Sequence, residues 1–366
     1  MRKLVRAAAL AAVFVTGVAS LAAPSFAASG KGAAPRIWRV AQGESIQDAV
    51  DAARPGDTIL LRPGVYRQSV LIRKNGITLA GSGDGANGSI VRAPGTLPKG
   101  MCTKFTGGSG VCVLAKDFDP ATGAITTRVS NVTVRGIRFE DWPSMGIFAY
   151  GARNVGMVGN TSIDAEEYGF ARFDSTGGVI ANNSATGSEE AGIYVGDSLN
   201  ANAQITHNDV YGNGFGIFIR HAHNVFVRLN DGWDNCQGIL ALDDGQPEGL
   251  GGLQIRYNVM RTNNLKCPPS DEAPPLKGGG IALIGATDSE VSWNTVRGNH
   301  GQKILSGGIV LISATGITGG VDPSNNLIED NTLRDNSPAD IIWDGTGSGN
   351  TFSANNCDTS VPGGLC

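Results

Sequence analysis

Between residues 146 and 340 a glycine recurs at nearly constant spacing, and each time it opens a short apolar run. Gly146, Gly169, Gly192, Gly216 and Gly238 lie 23, 23, 24 and 22 residues apart; Gly280, Gly308 and a position taken by Asp340 follow after 42, 28 and 32. In step with them run asparagines, each three residues after a hydrophobic residue: Asn160, Asn183, Asn208, Asn230, Asn258, Asn294, Asn331 and Asn355. Self-similarity of this kind constrains a fold more than local propensity does. A period near 23 is too long for one hairpin, and the β-branched, Gly- and Asn-rich segments carry no helical periodicity. Coils of three short strands fill it, each coil lying parallel on the last with like residues stacked at ~4.8 Å. The asparagines then read as a turn ladder, and the glycines as turn residues.

Ahead of the repeats stands "ESIQDAVDAARPGDTILLRPGVYRQSVLIRKNGITLAGSG". Ser45 with Asp48 three residues on is a helix start; Ile46, Val50 and Ala53 share one face, and Pro55-Gly56 stops the helix. A helix followed by strands suits the end of a stack that would otherwise expose apolar surface and unpaired edges. Residues 45–83 together with the repeats resemble the right-handed parallel β-helix, pectin-lyase-like superfamily. The resemblance implies an all-β, single-domain solenoid with an N-terminal capping helix. Residues 28–130 supply the cap and first coils, and residues 131–366 the repeat region. The superfamily holds lyases, hydrolases, epimerases, tailspikes and non-catalytic members, so it implies a carbohydrate substrate class and no single activity.

The first 27 residues read as an export signal: Arg2, Lys3 and Arg6, an apolar run from Ala7 to Ala23, and "SFA" before Ala28. Its removal shifts the formal net charge from −4 to −7. With no clustering of Lys and Arg, this argues against a nucleic-acid partner. No later segment is long enough to span a membrane, so a secreted monomer is expected. The six cysteines favour disulfides in an exported chain, with fifteen possible connectivities. Short separations make Cys102–Cys112, Cys236–Cys267 and Cys357–Cys366 the simplest set.

Chemistry on a stack appears as a column at constant offset from the repeat glycine. Five residues on stand Gly151, Asp174, Asp197, His221, Asp243, Gly285 and Ser313, with Arg172, Arg220, His223 and Asp244 beside them. Rungs are roughly 5 Å apart, so Asp174 and Asp197 are expected to repel, and one of them to hold its proton or share a calcium ion. His221, between Asp197 and Asp243, is expected to favour its charged form. Asp197 and Asp243, two rungs apart, suit the carboxyl spacing of an inverting glycosidase. The competing reading makes the column solvated turn residues, since Asp is favoured wherever a strand turns. Tyr150, Tyr168, Tyr194 and Phe218 offer sugar-stacking faces or plain ladder packing.

Motifs of the enzyme families depart from this chain. Polygalacturonases carry acidic residues just before the repeat glycine, where Met145, Tyr168, Ala191, Phe215 and Gln237 stand here. The epimerase motif G-[IF]-D-P-H-[DE] has its nearest match in "GFARFDST", which keeps Gly169, Phe170 and Asp174 only. The leading expectation is binding and modification of an extracellular, uronate-containing polysaccharide by lyase or C5-epimerase chemistry. His221 or Arg220 would be the base, Arg172 the carboxylate clamp, and Asp174, Asp197, Asp243, Asp244 and His223 the polar partners, with calcium at Asp174 and Asp197. Hydrolysis by Asp197 and Asp243, or a non-catalytic adhesive β-helix, are the alternatives.

Overall fold

The computed structural model describes residues 34–119, 121–269 and 274–366, so the export signal lies outside the described residues. From Pro35 to Cys366 the chain is one unit. It coils into three parallel sheets of 13, 10 and 11 strands. Sheet A runs from Ile37–Val40 to Thr351–Ser353, sheet B from Gly64–Tyr66 to Thr332–Arg334, and sheet C from Val70–Ile72 to Ser360–Val361. Each strand pairs with its counterpart one coil away.

Helix α1 (Ile46–Ala52) begins where Ser45 Oγ accepts the Asp48 N–H, and it buries Ile46 and Val50 against the first coil. Inside the coils like residues stack. Ile147, Phe170, Ile193, Ile217, Ile239, Ile281, Ile309 and Ile341 follow one another in register, all without solvent exposure. Burying each such side chain contributes about 1.5–3 kcal/mol.

The asparagine ladder forms as expected between sheets A and B. In Asn208, Oδ1 accepts from the backbone and side-chain amides of Asn183, and Nδ2 donates to Ile180 O and Asn230 Oδ1 at 3.0 and 2.9 Å. A second ladder, not anticipated, joins sheets B and C through Ser188, Asn213, Asn235, Asn263, Asn299 and Asn336 and ends on Asp340. The repeat glycines prove not to be turn residues. They sit inside sheet C strands, where a Cβ on Gly169 or Gly216 would come within 2.6 Å of the carbonyl oxygen of the next rung's glycine. Close backbone approach, rather than a left-handed turn, excludes a side chain there. The three disulfides are Cys102–Cys112, Cys236–Cys267 and Cys357–Cys366, as their short separations suggested.

Candidate functional site

Sheet C differs from its neighbours in being apolar on both faces. Its outward side chains, among them Phe148, Tyr168, Tyr194, Phe218, Leu240, Ala282 and Val310, form a second buried cluster beside the core. What buries them is loop. Helix α2 (Met101–Thr106) and the segment after Leu114 bring Phe105 and Phe118, 4.4 Å apart, over the N-terminal coils, where they meet Phe148 and Tyr150 at ring distances of 5.1–5.7 Å. Leu276 and Leu305 cover the C-terminal coils. Between these covers lies a groove of about 1070 Å³. Its floor is Phe215, Phe218, Leu240, Leu242 and Ile284, and one side is the insert bearing Pro268, Pro269 and Pro274, which Cys267 staples to Cys236. Glu189 and Glu190 enter from the turn before the strand, and Arg220, Asp244, Ile317 and Thr318 from its far end.

The column lies in the register expected. Strand pairing of Phe173 with Gly196, Gly196 with Arg220, Arg220 with Leu242 and Leu242 with Ile284 sets Asp174, Asp197, His221, Asp243 and Gly285 on successive rungs. Gly151, Asp174, Asp197, His221 and Gly285 share a left-handed backbone with φ of +62°, +39°, +49°, +45° and +68°. A turn of this kind favours Gly, Asp, Asn and His, which accounts for part of the column's composition.

Several side chains do not stand where the sequence suggested. Arg172 is not a surface clamp: it shares strand parity with inward-facing Phe170, pairs with Val195 and points into the core, 1 % exposed. Its Nη2 donates to Gly177 O, its Nε and Nη1 find no partner, and burial pushes its pKa down to about 10. Asp174 is engaged on its other side by Arg128, whose Nη2 lies 2.6 Å from Asp174 Oδ1. Asp243 is buried, its oxygens accepting from Gly245 N at 3.0 Å and Val321 N at 2.7 Å, while Thr318 Oγ1 donates to its carbonyl at 2.6 Å. It ties two loops together and cannot serve as half of a hydrolytic pair. His223 and His221 strap the loop from Asp243 to Gly252: their Nε2–H groups donate to the carbonyls of Glu248 and Pro247 at 2.8 and 2.9 Å.

That bond fixes the tautomer of neutral His221, so its Nδ1 carries a lone pair. Nδ1 is buried, has no hydrogen-bond partner, and lies 3.6 Å from Asp197 Oδ1. Asp244 completes the corner: ligand atoms of Asp197, His221 and Asp244 all fall within 4.8 Å of one another. Two carboxylates and a lone pair facing inward make a donor set for a metal ion. An imidazole with two carboxylates suits a zinc- or manganese-type ion better than calcium, which takes oxygen ligands. Neither His221 nor Asp197 lines the groove; Asp244 does, with Arg220 Nε 3.5 Å from its Oδ2. Burial alone would lower the pKa of Arg220, but Tyr194, Asp197, Tyr168 and Asp244 outweigh it and hold the guanidinium above its usual range. Arg220 therefore stays charged and is a poor base. The sequence reading missed Arg128 and the groove roles of Glu189 and Glu190; the pairing of Arg128 with a residue 46 positions away has no local signature.

Comparison with known structures follows this architecture. The A-module of mannuronan C-5 epimerase AlgE4 from Azotobacter vinelandii superposes with a TM-score of 0.59 at 19% identity, over 87% of this chain and 92% of that one. DFA-IIIase from Arthrobacter chlorophenolicus A6 in complex with GF2 gives 0.53 at 16%, over 84% and 80%. A tailspike protein of E. coli bacteriophage HK620 in complex with pentasaccharide gives 0.54 at 13%, over 86% and 59%. At these identities the likeness is one of fold. No curated protein matches the chain. The family model of the right-handed β-helix region matches residues 72–201 and 164–319, together more than half of the chain. With its three parallel sheets and stacked coils, the chain belongs to the right-handed β-helix family.

Proposed function

We propose that the protein is an exported enzyme that binds a uronate-containing polysaccharide in the sheet C groove and modifies it by lyase or C5-epimerase chemistry. The observation that carries this reading is the meeting of Arg220 and Asp244 in the groove, with His221 and Asp197 packed behind Asp244. Three structures of the same fold, named for a mannuronan epimerase, a DFA-IIIase and a tailspike with bound pentasaccharide, support the choice of a carbohydrate.

In this reading a sugar carboxylate meets the Arg220 guanidinium, and the charge that develops on the enolate is stabilised there. Asp244 takes the proton from the carbon next to that carboxylate, with the unprotonated Nδ1 of His221 and the carboxylate of Asp197 beside it. In elimination the electron pair forms the carbon–carbon double bond, the glycosidic C–O bond breaks, and the departing oxygen receives the proton from Asp244. In epimerisation Asp244 keeps that proton and a water on the opposite face gives one to the same carbon, leaving hydroxide that solvent neutralises. Hydrolysis through Asp197 and Asp243 has no support, because Asp243 is enclosed.

Incubation with polygalacturonate, alginate and glycosaminoglycans tests the proposal. Ultraviolet absorbance reports unsaturated products and proton NMR of the polymer reports epimerisation. Loss of the signal in Arg220→Gln and Asp244→Asn is expected. No turnover of any of the three polymers would leave the groove as a binding surface and end the enzymatic reading.

A further inference from the structure

The outward face of sheet B carries a feature that the fold does not require. At the turn from sheet A to sheet B eight successive coils place one residue in the left-handed region, and the register makes these residues equivalent: Gly159, Asn182, His207, Leu229, Tyr257, Trp293, Asp330 and Ala354, with φ between +52° and +61°. Gly, Asn and Asp adopt such a backbone at least cost, and the chain uses them at 159, 182 and 330. Bulky side chains there cost of order 1–3 kcal/mol each. Tyr257 and Trp293 accept that cost on consecutive rungs while standing 51% and 52% exposed, their rings stacked 6.2 Å apart. Stability does not explain them.

A second column lies on the outward face of sheet B, four residues after that turn on each coil. Tyr211, Trp233, Arg261, Arg297 and Arg334 are in register on five successive coils. Tyr211 and Trp233 stack at 4.6 Å with planes 4° apart, and the Arg261 guanidinium lies 4.7 Å over Trp233. Arg261 also pairs with Asp231 at 3.2 Å, and Arg334 binds Asn356 and stands 3.9 Å from Asp358. Exposed Arg297, between them, has no carboxylate partner among the described residues. Flat aromatic faces beside arginines at the strand repeat match a sugar chain that bears carboxylates. The aromatics take the apolar faces of the rings, and the arginines the acid groups.

We infer that this face is a second binding surface, separate from the groove, for an acidic polysaccharide. The inference does not depend on catalysis in the groove. Nucleic acid would use the same chemistry, but the chain's net charge of −4 and the acidic neighbours Asp209 and Asp231 on this face favour the less densely charged polymer.

The test uses the full chain with the groove disabled by Arg220→Gln and Asp244→Asn, so that failure of the catalytic reading leaves it intact. Affinity electrophoresis in gels containing polygalacturonate should show retardation, while dextran gels show none. In the same background, Tyr257→Gly with Trp293→Gly should weaken binding about tenfold or more, equivalent to ~1.4 kcal/mol. That pair should leave the melting temperature unchanged or raise it, because glycine relieves the backbone. Arg297→Gln with Arg334→Gln should weaken binding and flatten its salt dependence. Binding unchanged by the glycine pair, equal retardation by dextran, or tighter binding of single-stranded DNA than of polygalacturonate would each overturn the inference.

Discussion

The outward faces of sheets B and C are built by the same coils, in the same parallel register, yet they have opposite characters. Sheet C sends out Phe148, Tyr194, Phe218, Leu240 and Val310, and loops fold over them until only a groove remains open. Sheet B sends out Arg138, Asp209, Tyr211, Asp231, Trp233 and Arg261 with no such cover. The difference lies in where the chain is lengthened. Residues 93–110, 115–119, 121–128, 243–252, 262–269, 274–278 and 315–324 interrupt the stack at the ends of sheet C strands, whereas residues 206–209 and 228–231 pass from sheet A to sheet B in a tight turn. A repeat makes a uniform rod; insertions at one edge turn one face of the rod into a site.

The corner shared by the two faces gives the largest expected effect. Asn235 is wholly buried between sheets B and C; its Oδ1 accepts from both amides of Asn213, and its Nδ2 donates to Val210 O and Asn263 Oδ1. Asn235→Ala strands at least two buried groups and should cost about 3–5 kcal/mol by chemical denaturation. If the loss is no greater than for an exposed Asn, the ladder is ornamental and the two faces are not held in common register.

The next effect separates the faces by function. Arg220→Gln should lower kcat/KM on the polymer substrate by roughly 100- to 10,000-fold, with little change in melting temperature. Sheet B substitutions should leave turnover of short oligosaccharides as it was. Treatment with EDTA sharpens the same point. If activity survives the chelator, the corner of Asp197, His221 and Asp244 acts without a metal; if activity is lost and returns with zinc or manganese, the corner is a metal centre.

Arg172 and Arg220 illustrate how far the site was legible. Both precede a column residue, and both were read as outward. The period-two alternation already separates them: Arg172 shares parity with Phe170 and faces in, whereas Arg220 pairs with Gly196 and Leu242 and faces out. The coil period, the ladder from Asn160 to Asn355, the disulfides and the column's register were all legible, because stacking copies one local pattern along the chain. The burial of Asp243, the capture of Asp174 by Arg128, and the histidine straps were not legible, because they depend on how irregular loops return to the stack. The glycine function was misread for a related reason: strand glycine and turn glycine look alike until the neighbouring rung is in place.

Arg172 also yields the third prediction. An unpaired guanidinium beneath sheet C carries a desolvation cost that no carboxylate offsets. Arg172→Met should therefore stabilise the protein by about 1–3 kcal/mol, read as a higher melting temperature, without altering polymer binding. A lower melting temperature would mean that the hydrogen bond to Gly177 O outweighs the buried charge.

The smallest effect belongs to the open face, where charges are paired near solvent. Glu140 on sheet B lies between Arg92 and Arg138. Burial alone would raise its pKa, but the hydrogen bonds and charges of the two arginines outweigh that and hold it below the usual carboxylate range. A carboxyl with a depressed folded-state pKa stabilises the fold above its unfolded value, near 4.3 for Glu, and loses that contribution as pH falls through the folded value. Wild type should therefore lose stability below about pH 4.3 relative to Glu140→Gln, and the difference between the two should be flat from there to neutrality. Equal acid sensitivity in the two proteins would show that the arginines sit in solvent without engaging Glu140, and that the open face contributes binding chemistry but no stability.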